Sequence, residues 1–379
     1  MKPWLLVAGD LTLLGGMDAA NHALARHLAH RGDEVHVVTH QAWPDLHSLP
    51  SLRVHEVWRP FGRHVLGSPM LAREGRRVWR HLRERGAHAV TNGGNCRVAA
   101  ANWVHYVHAA YTPGIAGPAA RRAKWWLTHR RDVATERQVL REAQIVICNS
   151  QRTARDVVER VGVHHERVVV VYYGSDERRF GPVTDDARGE ARRQLGVRDD
   201  RPVVGFVGAL GDRRKAFDTV FTTWVSLCRR ADWDAQLIVV GGGAELPAWR
   251  ERAVAAGLRG RIVFLGFRTD VPDILAGLDA IVHPARYEAY GLSVHEAICR
   301  GLPALVCASA GVAERYPTTL HDLLIDDPDD DRELVERLWR WRSSQATYRR
   351  LVAPVAATLR TRSWDTMAAE IACHVERAA

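Results

Sequence analysis

Short apolar runs alternate with amphipathic runs in the first half of the chain. The apolar runs 4–8 and 35–39 lie on either side of an amphipathic run, 19–30, which follows a glycine-containing segment. Apolar runs of this length are typical of buried strands, and apolar positions spaced three or four apart are typical of a helix face. Strand, glycine loop and helix in this order predict the opening of a doubly wound α/β domain.

A second cycle of the same kind begins near residue 202. The apolar runs 203–207 and 236–240 lie on either side of the amphipathic run 217–229. The other apolar runs of strand length are 87–91, 102–107, 145–149 and 168–172 in the first half and 262–265 and 279–283 in the second. A chain of 379 residues is too long for one small core, so the pattern predicts two α/β domains.

The stretch 283–306 places two glutamates eight positions apart around a Gly-Leu pair. Glu288 falls in a predicted loop, 284–290, directly after an apolar run. Glu296 falls in a predicted helix, 292–299, which is followed by Gly-Leu-Pro. A carboxylate accepts two hydroxyl hydrogen bonds at once, so the two glutamates suit the diols at the two ends of one ligand.

The start of that helix also suits an anion. The backbone N–H groups of Gly291 and Leu292 have no acceptor inside a helix, and a helix start carries partial positive charge. With Glu288 and Glu296 nearby, the segment predicts a site for a sugar nucleotide. Two solvated glutamates on a surface helix are the alternative interpretation.

This segment resembles the E-x7-E element of the retaining glycosyltransferases of family four, which have the GT-B architecture. The resemblance covers most of the second half and extends more loosely to the first. It implies an α/β fold with two Rossmann-like, doubly wound domains facing a cleft. It also implies that Glu288 contacts the donor sugar, Glu296 the ribose and the Gly291-Leu292 amides the diphosphate, with Tyr290 among the donor-binding residues.

The resemblance also divides the chain. We predict an acceptor-binding domain at 1–178 and a nucleotide-sugar-binding domain at 179–361, with a helix at 362–379 that returns to the first domain. Residues 173–176, Tyr-Gly-Ser-Asp, resemble the family's N-G-V-D element at the domain junction, with the asparagine replaced. Residues 362–365, Arg-Ser-Trp-Asp, resemble the family's last element, which precedes the returning helix.

A basic loop, 208–215, follows the first apolar run of the second domain. It contains Arg213, Arg214 and Lys215, and these cations suit the phosphate oxygens of a leaving diphosphate. The family usually has Gly-Arg-Leu here, whereas this chain has Gly-Ala-Leu, so the arginine is displaced. The resemblance places Lys215 at the leaving group and leaves open which arginine turns inward. A solvated basic turn is the alternative.

The loop after the apolar run 262–265 is the family's usual position for base recognition. Phe267 and Arg268 lie there, and backbone groups of this loop are expected to pair with the edge of the base. Backbone contacts leave little signature in the side chains, so the identity of the base stays open.

The glycine pair near the N-terminus does not match the G-x-G-x-x-G dinucleotide fingerprint. By itself such a pair indicates no more than a turn. The family places this loop beside the diphosphate and the acceptor, which implies a role for Gly16 and, less directly, for Asp18.

A histidine at a strand end of the first domain contacts the donor sugar in the family. Alternation along the predicted strand 102–107 directs His105 and His108 to opposite faces. We assign the role to His108, because it lies nearer the carboxyl end of the strand, where ligands of open α/β sheets bind. His105 is the second choice, and a purely structural histidine is the alternative.

The positive charge of the chain is concentrated in the first half. Residues 1–180 contain 26 Lys and Arg against 16 Asp and Glu, whereas residues 181–379 contain 27 against 28. Within the segment 121–131, basic residues flank Trp125 and Trp126, a mixture that suits the interface of an anionic membrane. A helix whose tryptophans enter the core is the alternative. No nucleic-acid-binding motif accompanies the charge, so no nucleic-acid partner is expected.

Composition also bears on location and metals. No run of about 18 apolar residues occurs, so no membrane-spanning helix is expected. The first apolar run meets Gly9 too early for a signal peptide. These features predict a cytoplasmic protein and leave membrane association open. The six cysteines form no C-x-x-C pair and are interpreted as reduced thiols. Neither acidic pattern, 232–234 or 327–331, is placed to hold a metal-bound diphosphate, so neither a metal nor another cofactor is expected.

Together these features predict a retaining, metal-independent glycosyltransferase. It would move a hexosyl or related sugar from a nucleoside-diphosphate sugar to an acceptor hydroxyl in glycan or glycoconjugate biosynthesis, with His108, Glu288 and Lys215 as catalytic residues. The acceptor would be a glycan, a lipid-linked sugar or a small molecule. A sugar-nucleotide epimerase of related architecture and a non-catalytic nucleotide-binding protein are the alternatives.

Overall fold

A computed structural model describes residues 2–112, 114, 119–198, 200–211 and 213–378 of the chain. Asp212, in the predicted basic loop, and Ala379, in the predicted returning helix, lie outside the described residues. The described residues divide into two compact units. The first comprises 2–112, 119–174 and 362–378, and the second comprises 114 and 175–361.

The first unit is built on parallel strands with helices between them. Its strands are β1 (Trp4–Val7), β2 (Asp10–Leu11), β3 (Val35–Thr39), β4 (Gln41–Ala42), β5 (Leu52–Glu56), β6 (His88–Asn92), β7 (Ala101–Val104), β8 (Ile145–Cys148) and β9 (Val168–Val170). Its helices are α1 (Gly16–His30), α2 (His64–Leu82), α3 (Ala119–Glu142), α4 (Gln151–Asp156) and the C-terminal helix, Trp364–Ala378. Seven strands form one sheet in the order β5-β3-β1-β6-β7-β8-β9, and β2 pairs with β4.

The second unit repeats this plan with a six-stranded sheet. Its strands are β10 (Val203–Val207), β11 (Gln236–Val240), β12 (Ile262–Gly266), β13 (Ala280–His283), β14 (Ala304–Cys307) and β15 (Leu324–Ile325). Its helices are α5 (Glu177–Phe180), α6 (Asp185–Leu195), α7 (Phe217–Cys228), α8 (Leu246–Ala255), α9 (Val271–Ala276), α10 (Leu292–Cys299), α11 (Asp331–Ser343) and α12 (Gln345–Arg360). The strand order is β12-β11-β10-β13-β14-β15, and the pairs are parallel.

The strand order fixes where a ligand site is expected. In the second unit the chain fills one side of β10 with β11 and β12, then crosses to the other side to add β13. The order therefore reverses between β10 and β13, and ligands of open α/β sheets bind at the carboxyl ends of strands at such a switch point. All four residues of β13 are buried, as expected for a strand that is covered on both faces.

Three predicted elements of the second half have the observed bounds, and three others, 217–229, 262–265 and 279–283, each differ from the structure by one residue. The strands 203–207 and 236–240 and the helix 292–299 are confirmed residue for residue. In the first half the strand predicted to run to Val107 ends at Val104. His105 lies just past this strand and His108 in a 3₁₀ turn, His108–Ala110, so the argument from strand alternation was wrong for this pair.

Gly243 allows the backbone that follows β11 to pack directly against the backbone that follows β10. It follows β11 and has φ 151°, and a Cβ atom built on it would lie 2.1 Å from the carbonyl oxygen of Leu210. The N–H of Leu210 in turn donates to the carbonyl of Gly242 at 2.9 Å. A side chain at position 243 would therefore collide with the loop that follows β10.

Replacing Gly243 with alanine is expected to destabilise the second unit by about 3 kcal/mol or more, since strain at positive φ adds to the clash. Gly260 provides the control: it has φ 82°, and a Cβ atom there would have nothing within 4 Å. Gly260→Ala should cost about 1–2 kcal/mol, from backbone strain alone. Urea unfolding of the two variants measures the difference, and equal losses would contradict the predicted clash.

Candidate active site

Two loops meet at the switch point of the second sheet. Loop 208–216 follows β10, and loop 284–291 follows β13. The backbone N–H of Arg286 donates to the carbonyl oxygen of Arg214 at 2.9 Å, which ties one loop to the other. The basic loop and the loop carrying Glu288 therefore lie side by side at the carboxyl edge of the sheet.

Lys215, His283 and Glu288 form one hydrogen-bonded cluster at this edge. The Glu288 carboxylate accepts from the Lys215 ammonium and from Nε2 of His283, the latter at 2.8 Å. Nζ of Lys215 also lies 3.4 Å from Nε2 of His283. The Lys215 and Glu288 side chains keep 13% and 11% of their surface exposed, and that of His283 keeps 1%. The cation and the carboxylate therefore remain accessible, whereas the histidine lies beneath them.

The cluster fixes the charge of its members. Although burial raises the pKa of Glu288, the charge of Lys215 and the hydrogen bond from His283 hold it well below its ordinary range. Burial, followed by the charge of Lys215, lowers the pKa of His283. Nδ1 of His283 has no hydrogen-bond partner among the described residues, so we assign the proton of the neutral ring to Nε2. Glu288 is therefore ionised and accepts from a neutral histidine.

The start of α10 lies beside this cluster. Gly291 precedes the helix with φ 108°, and a Cβ atom built on it would lie 3.0 Å from Cγ1 of Val312 and 3.2 Å from Cγ of Glu288. Within the described part of the chain, the N–H groups of Gly291, Leu292 and Ser293 have no hydrogen-bond acceptor. Three backbone donors at a helix start are a ready binding site for an anion such as a phosphate group.

Glu296 differs from Glu288 in its protonation. No described residue donates a hydrogen bond to its carboxyl group. Burial raises its pKa to about 8, against a smaller lowering by the charge of Arg179. Glu296 is therefore mainly protonated at pH 7, and hydroxyl donors from a ligand would stabilise its ionised form.

The structure distinguishes the two arginines of the basic loop. Arg213 has an exposed side chain and a left-handed backbone with φ 57°. Arg214 is partly buried, and its Nη1 lies 3.5 Å from the carbonyl oxygen of Tyr287. Burial raises the pKa of Glu288, and Arg214 is among the cations that lower it. Arg214 thus lies near the cluster, whereas the side chain of Arg213 is open to solvent.

The other residues predicted to bind the donor are more dispersed. Phe267 follows β12 and is 65% exposed. Arg268 donates from Nε to Asp270 at 2.7 Å. The ring of Tyr290 is 2% exposed, and its hydroxyl lies 2.8 Å from Nδ1 of His295. The Tyr290 side chain therefore belongs to the interior, whereas Phe267 and Arg268 are open to solvent.

In the first unit, Gly16 is the first residue of α1 and not part of the preceding loop. Asp18 lies in the first turn of this helix. Burial, followed by repulsion from Asp10, raises the pKa of Asp18 to about 7. Asp10 pairs with Arg59 at 2.9 Å, and its other oxygen, Oδ1, has no partner among the described residues. These groups lie near the carboxyl end of β1, which adjoins the switch point of the first sheet.

The two candidate histidines have different surroundings. Nδ1 of His105 lies 2.5 Å from the Tyr173 hydroxyl, and its Nε2 lies 3.1 Å from the Asn92 amide. Burial lowers the pKa of His105 to about 3. The backbone N–H of His108 donates to the Glu136 carboxylate at 2.8 Å, and its side chain is partly exposed. Both ring nitrogens of His105 are therefore engaged in a polar network, and both histidines are partly exposed.

The tryptophans of the segment 121–131 lie on α3. Trp125 is partly buried and stacks on His129 at 5.0 Å between ring centroids. Trp126 is 49% exposed beneath the Arg130 guanidinium, 4.6 Å from its ring centroid, and Leu127 is 62% exposed. The interpretation that both tryptophans enter the core is therefore wrong. Among the described residues, no helix is long and apolar enough to cross a membrane.

The acidic patterns have structural partners. Asp234 pairs with Arg342, and Asp329 pairs with Arg286. Within the described ranges, no group of three or more His, Cys, Asp or Glu side chains is arranged to hold a metal ion.

Sequence reasoning missed three residues that shape these sites. His283 closes the apolar run before Pro284, and a polar residue at that point is a signal that could have been used. Arg286 and Glu136 carry no such signal, because an arginine in a loop and a glutamate in a helix are ordinarily exposed. Glu136 is 1% exposed and accepts the N–H groups of His108 and Ala109 at 2.8 and 3.0 Å.

Two family models match the chain, one in each half. The model described as Glycosyltransferase Family 4 matches residues 14–179, and the one described as Glycosyl transferases group 1 matches residues 201–342. The first match includes Gly16 and His108, and the second includes the cluster around Glu288.

Two curated relatives are similar over different lengths. The 2-deoxystreptamine N-acetyl-D-glucosaminyltransferase of Streptomyces fradiae is 35% identical over 215 residues, covering 54% of this chain and 48% of the relative. The D-inositol 3-phosphate glycosyltransferase of Salinispora tropica is 29% identical over 353 residues, covering 83% and 71%. The chain spans about half the length of most of the curated relatives it matches.

Solved structures show the same fold. Anabaena HepE in complex with UDP and glucose is 18% identical, with a TM-score of 0.74 and 100% of both chains covered. At this identity the likeness is one of fold. It confirms the predicted fold class, two Rossmann-like α/β units of the GT-B type.

Proposed function

The chain belongs to glycosyltransferase family 4, and from this premise we propose that it transfers a sugar from a nucleoside-diphosphate sugar to an acceptor hydroxyl. The observation that carries the proposal is the cluster of Lys215, His283 and Glu288 beside the helix start at Gly291. A cation, an ionised carboxylate and free backbone donors meet at a switch point of a doubly wound sheet. That combination suits a diphosphate joined to a sugar.

In the proposed reaction the bond between the anomeric carbon and the diphosphate breaks as a bond to the acceptor oxygen forms, and the proton of the acceptor hydroxyl passes to the leaving diphosphate. Negative charge develops on the leaving diphosphate. Lys215, Arg214 and the N–H groups of α10 stabilise that charge from fixed positions. Because these groups supply the positive charge, we propose that transfer needs no metal ion, and full activity in excess EDTA is the expected result.

Glu288 has the properties of a sugar-binding carboxylate. It stays ionised, so it accepts hydroxyl hydrogen bonds, while Lys215 and His283 hold its orientation. We propose that it positions the donor sugar and that transfer retains the anomeric configuration, as the family resemblance implies. His108, at the carboxyl edge of the first unit, is the proposed partner in substrate binding. NMR of the first-formed product tests retention, and an inverted anomer would refute it.

Thermal shifts with UDP, GDP, dTDP and ADP test the donor site first. A ligand at 100 times its dissociation constant adds about 2.7 kcal/mol of stability. We expect a shift selective for one nucleotide in the wild type and in Glu251→Gln, which alters an exposed glutamate of α8. The shift should be lost in Lys215→Ala and Glu296→Ala. No shift with any of the four would refute the proposed donor class.

Acceptors follow once the donor is known. The names of the two relatives supply the first probes, 2-deoxystreptamine and D-inositol 3-phosphate. Release of nucleoside diphosphate that depends on an acceptor would establish transfer. Conversion of the donor without any acceptor would instead indicate an epimerase, and binding without turnover would indicate a nucleotide-binding protein.

A peripheral membrane contact is a further part of the proposal. Exposed Trp126 and Leu127 lie on α3 beside basic residues, an arrangement that suits an anionic bilayer surface. Vesicles with and without anionic lipid, sedimented with wild type and Trp126→Ser, test it. Equal binding of the two proteins, or no binding by either, would remove membrane contact from the proposal.

Glu296 gives nucleotide binding a pH dependence. In the free protein, burial raises the pKa of Glu296 to about 8. Ribose hydroxyls are expected to donate to its ionised form. Binding at pH 7 is therefore expected to release a proton, and affinity is expected to rise between pH 6 and pH 8. Titration calorimetry in two buffers of different ionisation enthalpy measures the release.

Glu296→Gln is the control for that pH dependence. Glutamine keeps the shape of the side chain and cannot ionise. Protons released by the nucleotide itself appear in both proteins, so the difference between the two reports on residue 296. An identical proton release from both would contradict the assignment of Glu296 to the ribose.

A further inference from the structure

Arg286 connects the loop carrying Lys215 to two acidic groups. Its Nη1 and Nη2 each lie 2.9 Å from a carboxylate oxygen of Asp218, in the first turn of α7. Its Nε donates to Asp329 at 2.7 Å, and its Nη1 also donates to the carbonyl oxygen of Arg213 at 2.5 Å. The Arg286 side chain is 19% exposed. All three nitrogens of this guanidinium are therefore engaged.

The loop that Arg286 contacts has an unfavourable backbone. Arg213 and Ala216 have φ values of 57° and 51°, in a region that costs a residue with a side chain about 1–2 kcal/mol. Lys215 lies between them. The loop keeps this shape only because surrounding contacts hold it, and the bonds from Arg286 to the carbonyls of Arg213 and Arg214 are such contacts.

The acidic turn 327–331 takes part in the same arrangement. Asp329 supplies one of the two carboxylates bound by Arg286. The carbonyl oxygen of Pro328 accepts a hydrogen bond from the Thr219 hydroxyl at 2.8 Å, which ties the turn to α7. The turn therefore brings negative charge to Arg286 and a second anchor to the helix that follows the basic loop.

We propose that Arg286 is a positioning residue for Lys215: it holds loop 213–216 in the conformation that aims the lysine at the leaving diphosphate. The inference rests on the proposed function for the role of Lys215, though its structural part does not. Arg286 acts through the loop, because its guanidinium is already bound to Asp218, Asp329 and a backbone carbonyl.

The test compares Arg286→Gln with a matched variant elsewhere in the second unit. Arg342 makes a similar double hydrogen bond to Asp234, with both distances 2.9 Å. If Arg286 contributed only to the stability of the second unit, Arg342→Gln would lower the protection of the Ala216 amide and the nucleotide affinity as much as Arg286→Gln does. Arg286→Lys keeps the charge without the fork geometry and serves as the milder variant should Arg286→Gln fold poorly.

Two measurements separate this proposal from the proposed function. Hydrogen exchange reports on the amide of Ala216, which donates to the carbonyl of Arg213 at 3.0 Å. Its protection should fall in the Arg286 variants and stay unchanged in Arg342→Gln. Affinity for the nucleoside diphosphate that stabilises the wild type should fall, by up to about 10²-fold, in the same variants alone, because this is the loss expected when one hydrogen bond between charged groups is broken.

The outcomes are distinct. Unchanged protection of Ala216 in Arg286→Gln overturns the inference, whether or not the protein binds a nucleotide. Reduced protection with unchanged affinity in a nucleotide-binding wild type also overturns it, because the lysine would then not depend on the loop. A wild type that binds no nucleotide refutes the proposed function, and reduced protection would still support the role of Arg286 in shaping the loop.

Discussion

Replacing Glu288 with glutamine is expected to lower kcat/KM for glycosyl transfer by about 10²-fold or more. The amide keeps the shape of the side chain but loses the charge that lets it accept strongly from Lys215, His283 and the sugar. A hydrogen bond to a charged group contributes about 1.5–3 kcal/mol, and about 1.4 kcal/mol corresponds to a tenfold change in rate. Loss of two such bonds gives the expected effect. Initial rates at low donor concentration measure it.

The control for this change is Glu251→Gln. Glu251 is exposed on α8 and should tolerate the same substitution without a change in rate. Circular dichroism and thermal unfolding show whether Glu288→Gln remains folded. A folded Glu288→Gln protein with the wild-type rate would remove Glu288 from the site, even if the chain remained a nucleotide-binding protein.

Local sequence was sufficient for the element that carries the two glutamates. The helix 292–299 and the loop before it were predictable, because apolar spacing, a glycine start and Gly-Leu-Pro at the end all act within about 20 residues of chain. The opposite protonation states of Glu288 and Glu296 could not be predicted from local sequence. They depend on whether a cation such as Lys215 lies against the buried carboxyl group, and that is decided by the fold.

The surroundings of His105 and His108 in the first unit could not be predicted from the sequence pattern. The apolar run that continues past β7 suggested a longer strand, but His105 bonds to Tyr173 and Asn92, and His108 enters a turn capped by Glu136. These partners lie between 13 and 68 residues away in sequence. A pattern read along the chain contains no information about contacts of that separation, so alternation could not place these two histidines, and the choice of His108 stays a prediction.

Replacing Lys215 with methionine is expected to lower kcat by about 10²–10³-fold, the usual loss when one fixed group that stabilises developing charge is removed. Methionine fills a similar volume without the ammonium. The chain has three lysines, and Lys124, exposed on α3, provides the matched control. Lys124→Met should transfer at the wild-type rate. Single-turnover measurements separate the chemical step from product release.

The effect on stability identifies the cause of that loss. Lys215→Met leaves the Glu288 carboxylate without its cation in a largely buried position, so the variant should also unfold more easily. Adding Glu288→Gln removes the unpaired charge, and the double variant should regain stability while remaining inactive. Because Glu288→Gln alone lowers transfer, the rate of the double variant is compared with the rate of that single variant. Equal rates would mean that the lysine serves only to balance Glu288, whereas a further fall would mean that it acts on the leaving diphosphate.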